Sequence, residues 1–107
     1  MIVAITGGTG YLAQRIATHL SSKNIKILLI TRKKINYLND KNIKIININW
    51  NNTDPIKLNA DVIINTLITT KLSDQNSKTD ISYRNRILNK IANICEYNKI
   101  KRLIYLS

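Results

Sequence analysis

The sequence predicts an α/β fold in which a parallel β-sheet is covered by helices on both faces. Short apolar segments alternate with helical or polar segments along all 107 residues. The apolar segments are rich in Ile, Val and Leu and lack polar alternation, as is typical of strands buried on both faces. A cluster of three glycines follows the first of these segments and separates it from an amphipathic helix.

The first strand is predicted at residues 2–6 and the first helix at residues 11–22. The apolar residues of this helix recur at three- and four-residue spacing and mark one face: Leu12, Ile16, Ala17 and Leu20. Four further strands are predicted at residues 25–31, 43–49, 61–67 and 102–106.

The longest helix is predicted at residues 80–98, where apolar residues again recur at helical spacing. A single helical turn is predicted at residues 54–58, with Asp54 as the N-cap and Pro55 as the first helical residue. The segments 33–39 and 68–79 are polar links. Because no helix follows the fifth strand, one face of the sheet would lack cover, and we interpret the chain as truncated there.

Composition excludes several classes of protein. The 17 Lys and Arg residues outnumber the 6 Asp and Glu residues, which gives a formal net charge of +11. These basic residues are scattered and accompany no recognition motif, so nucleic-acid binding is a minor alternative that rests on charge alone. A single cysteine favours a reducing compartment, and no segment fits a signal peptide or a membrane span. We therefore expect a cytoplasmic protein that binds neither a metal nor a membrane; the oligomeric state is left open.

The glycine cluster has the spacing Gly8-x-Gly10-x-x-Ala13 and lies between a predicted strand and a predicted helix. Glycines in this context let main-chain N–H groups approach a pyrophosphate, and the helix amino terminus adds partial positive charge. The small side chain of Ala13 lets the helix pack close to the strand. The motif predicts dinucleotide binding; the alternative is a turn that only shares this spacing.

The segment Thr6-Gly7-Gly8-Thr9-Gly10-Tyr11-Leu12-Ala13 resembles the Thr-Gly-x-x-Gly-x-x-Gly motif of the extended short-chain dehydrogenases, the NAD-dependent epimerase/dehydratase family, with Ala13 in place of the third glycine. The resemblance covers the whole chain: residues 61–64 are similar to the fourth strand of that family, and residues 100–107 are similar to its fifth. It implies a Rossmann-like three-layer fold with a five-stranded parallel sheet in the order 3-2-1-4-5. It also implies that residues 1–107 are an NAD(P)-binding domain without the catalytic and substrate-binding half.

The same resemblance implies where the cofactor would bind. Thr66 and Leu67, at the end of strand four, would lie close to the nicotinamide ribose, and Asn51 would contact the adenine amine. The turn and the start of the first helix would surround the pyrophosphate; these residues are Gly7, Gly8, Thr9, Gly10, Tyr11 and Leu12.

The end of strand two is where the adenosine ribose is recognised, and an acidic residue there favours NAD. This sequence has Thr31-Arg32-Lys33-Lys34 instead. Arg32 and Lys33 are able to pair with a 2′-phosphate through charge-assisted hydrogen bonds, which favours NADP over NAD. The alternative is that a lysine-rich chain places basic residues in any loop.

The resemblance implies catalysis by hydride transfer to or from the nicotinamide. A Tyr assists this reaction, together with a Lys four residues later on the same helical turn, and the pair follows strand five. Two pairs have this spacing here, Tyr37/Lys41 and Tyr97/Lys101. The first lies in a link and the second crosses a helix end, so we interpret both as coincidences and assign no catalytic residue. We expect His19 at the surface and Cys95 in the core, and we interpret Trp50 as a packing residue in the same way as Cys95.

We therefore expect the NAD(P)-binding portion of an epimerase, dehydratase or reductase, similar to enzymes that modify nucleotide sugars and inactive alone. Two alternatives stay open: a non-catalytic NAD(P)-binding or sensing module, and a non-functional remnant of a degraded gene.

Overall fold

The computed structural model describes residues 1–8, 10–33, 40–50, 54, 56–67 and 78–106, without side-chain detail at 78–84. It contains two helices and five strands within these ranges: β1 (Ile2–Thr6), α1 (Tyr11–Ser22), β2 (Lys26–Thr31), β3 (Ile43–Asn47), β4 (Val62–Asn65), α2 (Lys78–Tyr97) and β5 (Arg102–Tyr105). The strands form one parallel sheet in the order β3-β2-β1-β4-β5, so the predicted fold class and strand order are confirmed.

β1 lies at the centre of the sheet. It pairs with β2 from Ile2↔Lys26 onward and with β4 from Val3↔Val62 onward. The amino end of β4 is fixed by Asp61, which accepts a 2.7 Å hydrogen bond from the Ile2 N–H through its carboxylate and donates its own N–H to the Ile2 carbonyl at 2.8 Å. Because all five strands run in one direction, their carboxyl ends lie along a single edge of the sheet.

Two apolar cores cover the two faces of the sheet, which makes the fold three-layered. One core joins the central strands to α2 through residues that include Ile63, Ile87 and Ile91. The other joins the opposite face to α1 through Ala13 and Ala17. The buried face of α1 is thus centred on small residues, which let the helix approach the sheet closely. Leu12 was predicted on this face, but its side chain is 47% exposed.

Both helices end in the same backbone motif. After α1, the Asn24 N–H donates to Ser21 and the Ile25 N–H donates to Leu20, with Asn24 in the left-handed region at φ 65°. Because the Ile25 N–H takes part in this turn, β2 begins at Lys26 and not at the predicted residue 25. After α2, Lys99 takes the equivalent position at φ 56°. Both turns occupy carbonyls of the last helical turn and direct the chain into the next strand.

The helical turn predicted at residues 54–58 is wrong for residues 56–58, which are irregular; Pro55 lies outside the described residues. The reason is that the Asn98 side chain takes the backbone groups that a helix would use. Its oxygen accepts a 2.8 Å hydrogen bond from the Leu58 N–H, and its amide donates to the Ile56 carbonyl at 2.7 Å. Within the described ranges, neither helix is long and apolar enough to cross a membrane.

Candidate functional site

The glycine turn leaves β1 at the carboxyl edge of the sheet and enters α1. Gly7 has a φ of 76°, in the left-handed region that side chains rarely adopt. A Cβ atom at Gly7 would lie 2.5 Å from Thr66 Oγ1. Both its conformation and its closeness to β4 therefore require glycine at this position.

Gly8 packs against β2. Its N–H donates a 3.0 Å hydrogen bond to the Ile30 carbonyl. A Cβ atom at Gly8 would overlap the methyl group of Thr31 and would lie 3.0 Å from the Ile30 oxygen. The second glycine thus lets the turn lie directly on the neighbouring strand.

Gly10 is the N-cap of α1, with an extended conformation at φ −82° and ψ 153°. Its N–H donates to the Gly7 carbonyl at 2.8 Å, and its carbonyl accepts the first helical hydrogen bond, from Gln14, at 3.1 Å. The backbone N–H groups of Tyr11, Leu12 and Ala13 precede that bond and have no helical acceptor. Glycine has no side chain to cap them, and the first turn contains no acidic residue. These amides therefore suit an anion.

Polar residues end each of the first four strands and form a row along the carboxyl edge of the sheet. We call Thr6, Thr31, Asn47 and Asn65 the polar row. Thr6 and Asn65 are register partners, as are Thr31 and Asn47. The Thr6 hydroxyl, on a side chain only 1% exposed, donates to Asn65 Oδ1 at 2.5 Å. Asn65 Oδ1 also accepts the Leu67 N–H at 3.2 Å.

Thr66 continues the row from β4 toward the glycine turn. Its hydroxyl donates to the Thr6 carbonyl at 2.6 Å, and its N–H lies 3.3 Å from Thr6 Oγ1. Leu67 follows, and its half-buried side chain packs against the core that contains α2. Thr66 and Leu67 thus lie beside the turn at the boundary between β1 and β4. The strand order reverses at this boundary, and parallel sheets of this kind bind ligands in the crevice that the reversal leaves.

The other half of the polar row holds the basic segment after β2. The Thr31 hydroxyl and the Asn47 amide both donate to the Lys33 carbonyl, at 2.6 and 2.9 Å, and the Asn47 amide also donates to Thr31 Oγ1 at 3.0 Å. Arg32 and Lys33 are exposed. Because Thr31 also contacts Gly8, this basic segment and the glycine turn are neighbours on one edge of the sheet.

The structure therefore brings together most of the residues that the sequence predicted for the site: Gly7, Gly8, Gly10, Tyr11, Leu12, Arg32, Lys33, Thr66 and Leu67. Thr9 and Asn51 lie outside the described residues. Tyr11 is exposed, and its hydroxyl accepts a 2.5 Å hydrogen bond from Arg15, one helical turn further on. The arrangement places a helix start suited to an anion beside two exposed basic residues.

Sequence reasoning missed the polar row as a set. The signal was present, because each of the first four apolar segments changes to Thr or Asn near its end. A polar side chain that closes a buried strand of a parallel sheet must find its partners at the ligand-binding edge. That rule selects Thr6, Thr31, Asn47 and Asn65 without knowledge of their contacts, together with Asn49 and Thr66, which lie one or two residues beyond the strand ends.

Residues set aside from the site keep structural positions. Tyr97 ends α2 and is 57% exposed, and the left-handed turn at Lys99 separates it from Lys101. Trp50 is buried in the core that contains α2, and Cys95 packs against that core, where burial raises the pKa of its thiol. His19 is exposed, and the described residues contain no group of three or more His, Cys, Asp or Glu that could hold a metal ion.

Comparison with known families and structures adds independent information. The pattern of the NAD dependent epimerase/dehydratase family matches residues 3–107. None of the curated protein sequences matches this chain significantly.

Three solved structures illustrate the similarity of the fold. A UDP-N-acetylglucosamine 4-epimerase from Bacillus cereus is 16% identical, with a TM-score of 0.73, and the match covers 98% of this chain and 34% of that one. Vestitone reductase from alfalfa (Medicago sativa) is 21% identical, with a TM-score of 0.72 and coverage of 97% and 35%. The oxidoreductase ylbE from Lactococcus lactis is 22% identical, with a TM-score of 0.69 and coverage of 100% and 48%. The chain thus spans between a third and a half of the length of these structures.

Proposed function

Since the chain belongs to the NAD-dependent epimerase/dehydratase family, we propose that it binds a nicotinamide dinucleotide at the carboxyl edge of its sheet. The observation that carries the proposal is the start of α1, where Tyr11, Leu12 and Ala13 present backbone N–H groups without helical acceptors. A pyrophosphate carries the negative charge and the acceptor oxygens that this helix end stabilises.

The turn has the shape that such a ligand needs. Added Cβ atoms at Gly7 and Gly8 would overlap neighbouring strands, so these two glycines bring the turn close to β4 and β2. Gly10 is exposed, and the close contact of an added Cβ atom there would be the Gly7 oxygen rather than a strand. The backbone is therefore bare on the side from which phosphates would approach the helix.

The finer proposal is a preference for NADP over NAD. Thr31 and Asn47 hold the Lys33 carbonyl, and the basic segment consequently leaves β2 with a defined path. Arg32 and Lys33 are exposed beside the glycine turn, where their charges favour a 2′-phosphate. The described residues that follow β2 directly contain no carboxylate that would repel this phosphate.

A bound nicotinamide dinucleotide would supply hydride transfer. The residues described here would bind and orient it, and none of them is assigned to acid–base catalysis. For the protein in which this domain acts, we propose a reaction on a nucleotide-activated sugar in the cytoplasm. The alternative is a binding or sensing module without catalysis, and stable binding in the absence of turnover would favour that function.

The first test measures the melting temperature of the purified chain with NADPH and with NADH at equal concentration. We expect a larger rise with NADPH, because at equal concentration the ligand that binds more tightly stabilises the folded state more. The double variant Arg32→Ala/Lys33→Ala should remove the difference between the two cofactors. The control Lys26→Ala/Lys44→Ala removes the same charge from exposed strand positions, and it should retain the difference between the two cofactors.

Two outcomes would contradict the proposal at different levels. Equal shifts with both cofactors would remove the role of Arg32 and Lys33 but leave dinucleotide binding intact. No shift with either cofactor would reject dinucleotide binding by this chain.

A further inference from the structure

The end of β4 contacts the first peptide bond of the glycine turn. The Thr66 hydroxyl donates a 2.6 Å hydrogen bond to the Thr6 carbonyl oxygen, which belongs to the peptide that enters Gly7. The Thr66 N–H also lies 3.3 Å from Thr6 Oγ1. Thr66 is buried, so the Thr6 carbonyl would lose a hydrogen bond that water does not readily replace if this hydroxyl were absent.

The same hydroxyl occupies the space beside Gly7. A Cβ atom there would lie 2.5 Å from Thr66 Oγ1, and Gly7 has its left-handed conformation at this contact. The Gly7 carbonyl in turn accepts the N–H of Gly10, the N-cap of α1, at 2.8 Å. A continuous path of hydrogen bonds and contacts therefore runs from the end of β4 to the amino terminus of α1.

From this path we infer that Thr66 is a positioning residue for the phosphates of the dinucleotide. Its hydroxyl fixes the Thr6–Gly7 peptide, and Gly7 then fixes the helix amides that bind the pyrophosphate. The inference rests on the proposed function and gives Thr66 a role different from the one expected from the sequence. A residue near the nicotinamide ribose would affect only ligands that contain nicotinamide, whereas a residue that shapes the turn affects every ligand with a pyrophosphate.

The experiment uses ADP, which contains the pyrophosphate without nicotinamide, and NADPH. Thr66→Val keeps the shape of the side chain and removes the hydroxyl. We expect this variant to lower the affinity for ADP and for NADPH by a similar factor, roughly three- to tenfold, which corresponds to the loss of one buried hydrogen bond. Thr66→Ser should recover most of this loss. The matched control Thr18→Val removes a hydroxyl that bonds the Gln14 carbonyl on the exposed side of α1, and both affinities should stay at the wild-type value.

A second readout needs no ligand. Hydrogen exchange at the Gly10 N–H should become faster in Thr66→Val than in wild type and Thr66→Ser, relative to the Leu29 N–H of β2. Leu29 is the reference because a global loss of stability raises exchange at both amides.

The outcomes separate this inference from the proposed function. A Thr66→Val variant that weakens NADPH but not ADP would overturn the inference, since Thr66 would then contact the nicotinamide half directly. Unchanged relative exchange at Gly10 would also overturn it. If the wild-type chain binds neither ligand, the proposed function fails, and the Gly10 exchange alone still decides whether Thr66 holds the turn.

Discussion

The three glycines of the turn have different structural requirements. Gly7 has a left-handed backbone, which favours glycine. Gly8 has to lack a side chain, because the Thr31 methyl group occupies the space where a Cβ atom would lie. Gly10 has an extended conformation that suits any residue, and the one close contact of an added Cβ would be the Gly7 oxygen at 3.1 Å, which a small shift of that carbonyl has to relieve. A substitution at Gly10 therefore separates binding from folding.

We predict that Gly10→Val folds but loses affinity for ADP by at least about tenfold, because its branched side chain projects beside the helix amides that bind the phosphates. The free energy of unfolding should fall by about 1–2 kcal/mol, because valine is a poor N-cap residue and its Cβ lies close to the Gly7 oxygen. Isothermal titration with ADP and thermal melting measure the two effects, and Thr18→Val is the control on the same helix. Retained affinity in a folded Gly10→Val variant would count against the phosphate site.

Asp40 accepts hydrogen bonds that lower the pKa of its carboxylate. The Ser21 hydroxyl donates to its carboxylate at 2.6 Å and the Asn42 N–H donates at 2.8 Å. These hydrogen bonds, in that order, lower the pKa of Asp40; desolvation opposes them, and the charge of Lys41 supports them. The carboxylate thereby joins the end of α1 to the start of β3.

Because this pKa is lower in the folded chain than in the unfolded chain, the stabilisation is complete above the unfolded value of about 4. It is lost as the pH falls through the lower folded value. We predict that Asp40→Asn is less stable than wild type at pH 7 and that the difference shrinks below about pH 4. Urea unfolding across this pH range measures it. Glu96→Gln makes the same change of charge at an exposed position of α2, and an equal pH dependence in both variants would reject the role of Asp40.

At the scale of elements, the two helices end in one motif built from different residues. The left-handed position is Asn24 after α1 and Lys99 after α2. Asparagine tolerates this conformation, whereas a lysine side chain is strained in it by about 1 kcal/mol or more. Lys99 is exposed, and the hydrogen bonds of the turn involve only its backbone.

Lys99→Gly should therefore raise the free energy of unfolding by about 1 kcal/mol. For a domain of this size, that gain corresponds to a melting temperature higher by about 4–8 °C. Asn24→Gly at the equivalent position is the comparison, and its gain should be smaller, because asparagine tolerates the conformation and its Oδ1 also accepts a 3.5 Å hydrogen bond from the Asn42 amide. If glycine at residue 99 stabilises no more than glycine at residue 24, strain at Lys99 is not the cause.

The sequence predicts elements well where one local signal decides the structure. β1 and α1 have the predicted bounds, because a run of apolar β-branched residues, three glycines and helical spacing follow one another directly. Prediction fails where a distant side chain decides. Residues 56–58 carry local signals for a helical turn, but Asn98, some forty residues away in the sequence, binds their backbone. The positions of Gly7 and Gly8 in the site follow from their motif, whereas the contact between Gly7 and Thr66 depends on how β4 pairs with β1.

For the whole molecule, the fold places the proposed binding residues together but joins no Tyr and Lys into a catalytic pair among the described residues. Tyr97 and Lys101 have the family spacing, yet α2 ends between them. The proposed site thus contains groups suited to a dinucleotide, and no proton donor is assigned among the described residues.

We accordingly predict that the 107-residue chain with NADPH or NADH gives no detectable epimerisation of UDP-galactose or UDP-N-acetylglucosamine. Product analysis by chromatography after prolonged incubation measures this. Tyr97→Phe should leave cofactor affinity unchanged. Turnover by the wild-type chain that Tyr97→Phe abolishes would show that this pair is catalytic after all.

The central position of β1 has a consequence for synthesis on the ribosome. β1 is made before the other four strands of this sheet, and β2 is complete at Thr31, but β4, its other partner, ends only at Asn65. Until then, one edge of the most apolar strand has unpaired backbone groups, which attract any other extended chain nearby. Translation of residues 32–65 takes about two to seven seconds at usual rates. The nascent chain is therefore exposed to misassociation while residues 32–65 are being made, because β1 is then open on one side.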